Sequence, residues 1–220
     1  METTEKTALS ILSEISRISN SYTDLLEKLR RIVGVVARGM GKEGTSVFLI
    51  DSSGKSVTLS AAIGLNLESI GKLSFPLGTG IAGWVAEQKV PLALEDPYSD
   101  PRFQYLPESG IGHFKSLVAA PIMDQDLCLG VIFVLSSSVW SATSADITLL
   151  TTTANQLSGV IKSARLFQSL QDRLAELSGQ KLTIKFSVQR KSKEKAHDEP
   201  GKPPRGEESP GRKRQHPQLN

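Results

Sequence analysis

One cysteine and three histidines, scattered along 220 residues, set narrow limits on the chemistry open to this chain. A catalytic thiolate needs a base or cationic neighbour, and thiol redox work needs a second thiol. Cys128 stands alone in the apolar run Leu127-Cys-Leu-Gly-Val131, where a small core residue is expected. A lone cysteine also excludes an intramolecular disulfide and any CxxC metal site. His197 and His216 have no ligand-type partners at metal spacing, and His113 sits beside Phe114 and Lys115. Carboxylate pairs occur at Glu95-Asp96 and at Asp124 and Asp126, but both fall at turns, where capping and solvation account for them. No Ser/His/Asp set can be assembled. The expectation is therefore no catalytic residue, no metal and no cofactor.

Binding is better supported. Residues 95–114 (EDPYSDPRFQYLPESGIGHF) hold three Pro and two Gly with no periodic pattern. An irregular stretch of this length in a compact domain is characteristically a lid or a binding wall. Arg102 offers a planar fork that fits a carboxylate or a phosphate, or one that staples the loop through Asp100 or Glu108. Phe103 and Tyr105 alternate around Gln104, and Trp84 on the preceding helix could wall the same cavity. Plain core packing is the competing role for each aromatic.

The elements that must position this loop can be read from periodicity. Leu9, Leu12, Ile15 and Ile18, with Ile11 alongside, mark an N-terminal helix. Ser21 or Thr23 is placed to cap a second helix carrying Leu25, Leu26, Leu29, Ile32, Val33 and Val36, which Gly39 to Gly44 ends. Runs at 46–50 and 55–63, joined by Asp51-Ser-Ser-Gly54, predict a hairpin. A short strand at 73–75, a helix over 78–88 with Thr79 as its cap, and a short strand at 92–94 follow. Beyond the loop come core strands at 116–122 and 127–136. A last helix starts near Thr143 or Ser144 and runs to about Leu177. Its stripe Ile147, Leu150, Ala154, Leu157, Ile161, Ala164 slips to a second line through Phe167, Leu170, Leu174 and Leu177. Two lines cannot face one surface, so the second half is expected to project and meet a partner helix in a homodimer. The layout is α+β, an antiparallel sheet of five to six strands with helices packed on it.

Charge divides the chain. Residues 1–180 carry 15 basic and 18 acidic groups, whereas 181–220 carry 11 and 5, so the alkaline balance belongs to the tail. From Lys191 the chain has almost nothing to bury and is expected to be disordered. Leu182–Val188 alternates at period two and stays unassigned. The tail lacks aromatic residues for stacking, so nucleic-acid binding is not expected. No run approaches the roughly 20 apolar residues of a membrane span, and the N-terminus has no secretory pattern, so a cytoplasmic protein is expected.

The string as a whole resembles the GAF sensory domains over about residues 7–177. GTGIAGWVAEQKVPLALED is similar to the mid-domain helix and strand of that fold. Asp100-Pro-Arg-Phe103, Tyr105, Pro107-Glu108, Gly110 and Ser116, with Pro121-Ile122 and Gly130-Val131, resemble the N-terminal GAF domain of the nitrogen-type phosphoenolpyruvate-protein phosphotransferases. Where those relatives carry acidic residues, this chain reads Ile111-Gly112-His113. Their catalytic part, with its phosphorylatable His and phosphoenolpyruvate-binding barrel, has no counterpart in these 220 residues. Other branches of the fold reduce methionine sulfoxide, hold a bilin on a Cys-His pair or bind cyclic nucleotides, and their motifs are missing too.

The resemblance implies a regulatory small-molecule sensor linked to nitrogen or phosphotransferase-system signalling, with glutamine or 2-oxoglutarate as first candidates. The expected ligand-binding set is Trp84, Arg102, Phe103, Tyr105, His113 and Ser116. The domains expected are an N-terminal helix at 1–20, the GAF domain at 21–165, the projecting helix end at 166–180 and the tail at 181–220. The alternative is a ligand-free dimerisation module left from a truncated phosphotransferase.

Overall fold

Helix starts and stops follow local chemistry in the computed structural model, which describes the backbone from Glu2 to Glu194 and side chains over residues 6–178. Two units divide the chain, Met1–Ser169 and Leu170–Asn220. Helix α1 spans Glu2–Ser19 and α2 spans Leu25–Met40. The cap of α2 is Asp24, whose carboxylate accepts from the Glu27 amide at 2.9 Å. Ser21 and Thr23, the caps expected from sequence, instead hydrogen-bond each other at 3.0 Å. An acidic cap one residue before the first turn also meets the positive end of the helix dipole, which explains the preference.

The stripe of α1 also differs from expectation. Ile11, Ile15 and Ile18 are buried, while Leu9 is 68% exposed. A strict three-residue step precesses by about 60° per step, so Leu9 and Ile18 lie on opposite faces. The steps of four and three through 11, 15 and 18 hold one face.

The sheet is six-stranded and antiparallel throughout, in the order β3-β2-β1-β6-β5-β4. Its strands are β1 (Gly44–Ile50), β2 (Ser56–Ile63), β3 (Ser74–Pro76), β4 (Leu92–Leu94), β5 (Ser116–Asp124) and β6 (Leu127–Ser136). Pro121 is tolerated because β4 pairs with β5 only as far as Ala119, leaving open edge beyond it. Gly130 of β6 lies across from Leu49 of β1, and a Cβ there would stand 2.2 Å from the Phe48 carbonyl oxygen. Only glycine lets the two central strands approach so closely.

Each face of the sheet has its own apolar core. One joins α1, α2 and the first part of α4 (Ser144–Glu194) to Val47, Ala61, Val118, Ala120, Ile122, Ile132 and Val134. The other joins α3 (Gly80–Gln88) to Phe48, Val57, Leu59, Leu117, Val131, Phe133 and Leu135. Strand alternation sends neighbouring residues to opposite cores. Helix α4 opens on a reciprocal cap: Thr143 Oγ1 accepts from the Asp146 amide at 3.2 Å, and Asp146 accepts from the Thr143 amide at 2.9 Å. In its first part Leu149, Leu150, Ala154, Leu157, Val160 and Ile161 are buried.

In the second unit the backbone of α4 continues to Glu194, past the expected end near Leu177 and through the unassigned 182–188 stretch. Leu170, Leu174 and Leu177 are each more than half exposed. The basic tail lies outside the residues whose side chains are described, and 195–220 lie outside the described residues altogether.

Candidate functional site

The second core is incomplete. Beneath residues 103–111 it leaves a cavity of about 540 Å³ counted to its open mouth, of which about 60 Å³ admits the centre of a water molecule. Strand alternation builds the floor: Ser46 and Phe48 from β1, Leu117 from β5, Phe133 and Leu135 from β6. The first turn of α3, with Gly80, Ile81 and Ala82, forms one wall beside Leu65, Leu73 and Phe75. Phe103, Gln104, Leu106, Ser109 and Ile111 form the roof. The rings of Phe48 and Phe133 meet edge to face at 5.6 Å, and Phe48 and Phe75 meet at 6.0 Å. No charged side chain lies among the lining residues.

Helix α3 reaches this position because Gly83 lacks a side chain; a Cβ there would sit 2.1 Å from the Pro76 carbonyl oxygen. That close approach seats α3 against β3. Thr79 holds the cap position of α3, but its side chain makes no capping hydrogen bond.

Two attachments hold the roof. At one end Asn66 donates its amide to Ser109 O at 3.0 Å and its side chain to Glu108 O at 3.0 Å, while Ser69 Oγ donates to Glu108 O at 2.6 Å. Ser109 reinforces the turn internally, donating to Leu106 O and accepting from the Ile111 amide. At the other end Arg102 Nε and Nη2 donate to Asp100 at 2.8 and 2.6 Å, and the guanidinium lies 4.1 Å over the Trp84 ring. Hydrogen bonds from Arg102 hold the Asp100 carboxyl below the ordinary aspartate range, and Asp100 in turn raises Arg102.

The six residues expected from sequence take different stations. Phe103 lines the cavity. Trp84 and Arg102 stack on each other, with Arg102 committed to Asp100, and neither is a lining residue. Tyr105 is 52% exposed and lies over Gly112, in an outer cluster where Tyr98 meets Phe103 at 4.9 Å and Tyr105 at 6.2 Å. His113 is exposed with its ring 3.9 Å from that of Phe114. Ser116 is buried and donates to Ser138 O at 2.8 Å.

Other lining residues were hidden in the core strands. Ser46, Phe48, Leu117, Phe133 and Leu135 look in sequence like any alternating strand residues. Their inward face was legible, but nothing in the period says which of two cores keeps a void. Ser46 between Thr45 and Val47 was the one local hint, a small hydroxyl at a position facing in.

Cys128 is buried, donates to Gly130 O at 3.2 Å, and burial pushes its thiol pKa up. Both effects oppose thiolate chemistry. Among the described residues no cluster of three His, Cys, Asp or Glu side chains could hold a metal ion. No described helix is long and apolar enough to cross a membrane.

Known proteins share this arrangement. The GAF domain of a phosphoenolpyruvate-protein phosphotransferase from Coxiella burnetii superposes with a TM-score of 0.69 at 26% identity, over 74% of this chain and 98% of that one. The corresponding Acinetobacter domain gives 0.65 at 29% identity, over 74% and 97%. A Nif-specific regulatory protein of Herbaspirillum seropedicae is 28% identical over 190 residues, which are 84% of this chain and 34% of that protein. The chain thus spans about a third of the length of that curated relative. The sequence pattern of the GAF domain matches residues 24–161, from the cap of α2 to the last deeply buried turn of α4, and covers the sheet, the second core and the cavity beneath the roof. This chain belongs to the GAF domain family.

Proposed function

We propose that this protein is a regulatory small-molecule sensor acting in nitrogen or phosphotransferase-system signalling, in the cytoplasm and without catalysis of its own. The observation that carries the reading is the roofed cavity. An apolar space is closed by a segment tied at two points, and the opposite side of the same strands packs against α1, α2 and α4. Similarity to a Nif-specific regulator and to phosphotransferase GAF domains supports the nitrogen link. Occupancy shifts the roof and the floor strands, and the helices on the far face relay that shift.

Glutamine and 2-oxoglutarate, expected from the resemblance, are the first metabolites to test. Asp100 already holds the Nε–Nη2 edge of Arg102, so either one competes with Asp100 for that edge. The test is thermal unfolding of the full chain against amino acids, 2-oxo acids and nucleotides. A compound that binds only the folded form raises stability by about 2.7 kcal/mol at 100 times its dissociation constant. Saturable stabilisation supports the sensor. No stabilisation by any compound, with a concentration-dependent dimer, favours the second reading.

That second reading is a ligand-free interaction module dimerising through the first and last helices. It is favoured by the narrowness of the cavity and by Phe167, Leu170, Leu174 and Leu177, all more than half exposed on α4.

A further inference from the structure

We infer that the cavity takes a small uncharged molecule with an apolar aromatic body, and that carboxylate metabolites are excluded from it. This rests on the sensor reading of the same site and narrows its ligand class.

The lining sets the class. Four phenylalanines, Phe48, Phe75, Phe103 and Phe133, surround the space together with aliphatic side chains, and none of the lining residues carries charge. A carboxylate moved into such surroundings loses its water and gains no counter-ion, so its transfer is strongly unfavourable. Arg102 does not supply one. Its Nε–Nη2 edge is held by Asp100, its plane is stacked on Trp84, and it is not among the lining residues. The polar lining is limited to Ser46, Gln104 and Ser109, and the Ser109 hydroxyl already serves the roof turn. What remains suits one or two hydrogen bonds from a hydroxyl, an amide or a ring N–H. An aromatic ring would join the ring contacts that Phe48 makes with Phe75, tilted, and with Phe133, edge to face.

The size of the closed space sets the route. About 60 Å³ for water centres is less than the 150 Å³ of an engineered apolar cavity that accepts benzene. A ring therefore enters by lifting Phe103 and Leu106, which hang from the roof between its two attachments. Arg102 on Trp84 is the latch at one end of that movement and not a ligand contact.

The experiment compares indole and phenol with 2-oxoglutarate and glutamine as probes in thermal unfolding of the full chain. Each is tested against wild type, Arg102→Ala and Ala82→Leu, the last filling the wall of the cavity. Indole or phenol should give a saturable rise of about 2–4 °C in wild type. The rise should persist in Arg102→Ala and vanish in Ala82→Leu, while Ala82→Leu alone stays cooperatively folded. Stabilisation by 2-oxoglutarate or glutamine that disappears in Arg102→Ala would overturn the ligand class and leave the sensor reading standing. No response to indole or phenol would overturn the ligand class, and the sensor reading then rests on the wider screen. An indole response unchanged by Ala82→Leu would place the binding elsewhere and overturn the assignment to this cavity. Leu135→Phe fills the floor instead and serves if Ala82→Leu fails to fold.

Discussion

Arg102 lies 4.1 Å above the Trp84 ring while both Asp100 oxygens hold the Nε–Nη2 edge of its guanidinium, so a cation on the roof is fixed to a helix of the wall. The arrangement uses the plane and the fork together, which lysine cannot reproduce. Arg102→Lys should cost about 0.5–1 kcal/mol of local stability, or roughly two- to fivefold faster amide exchange in residues 97–113. Exchange in β1 and β6 should stay unchanged. Mass-spectrometric hydrogen exchange measures both, and uniform acceleration across the sheet would refute a local role.

Acid should loosen the same attachment. The Asp100 carboxyl is lowered by its hydrogen bonds to Arg102, so its contribution is complete above the unfolded aspartate value of about 3.9 and is lost as pH falls through the depressed folded value. Urea unfolding of wild type and Asp100→Asn at a series of pH values checks the sign. The stability difference should be flat from pH 8 to 5 and shrink below about pH 4. A difference that grows in acid would contradict the assignment.

Two glycine-to-alanine changes should have opposite signs. At Gly83 the new Cβ meets the Pro76 carbonyl, so Gly83→Ala should destabilise by about 1–3 kcal/mol through the shift of α3. At Gly159, exposed on α4, nothing lies within 4 Å, and Gly159→Ala should stabilise by about 0.4–1 kcal/mol. Chemical denaturation of both variants decides. Equal effects would mean that α3 is not seated against β3 as described.

Exposed apolar residues on the last helix make the dimer testable. Under the proposed association, wild type should sediment as a dimer at tens of micromolar. Phe167→Glu with Leu174→Glu should sediment as a monomer with its melting temperature nearly unchanged, because both residues are 63–64% exposed. A monomeric wild type would remove the dimer from the mechanism.

Secondary structure was legible wherever one residue type recurs at a fixed period against a uniform environment. The unbroken apolar run of 127–136 marks a strand buried on both faces, and the 3-4 spacing from Leu150 to Ile161 defines one buried helix face; both hold. Leu9 leaves the buried face of the N-terminal helix because a three-residue step drifts around the helix. The cap of α2 fell to Asp24 because charge and position outweigh hydroxyl preference at one site. Loop 95–114 was legible as a roof from its Pro and Gly content, but its side-chain stations were not. Whether Arg102 serves a ligand or Asp100 depends on a fold of the loop that no period encodes. The floor was hidden for the converse reason: its residues are ordinary strand residues until a void opens beside them.

The division of the sheet into two cores has a consequence for distance. Phe48 touches the cavity and Val47, its neighbour in the chain, touches the helices. A guest molecule and the helical face are thus separated by the thickness of one strand, not by a route through the protein. β1 shifts its pairing with β2 between these two residues. A rotation of that single peptide would tilt Phe48 and Val47 in opposite directions at once. The partition between inside and outside signals is then a matter of one backbone unit turning, as a door turns both of its faces on one hinge.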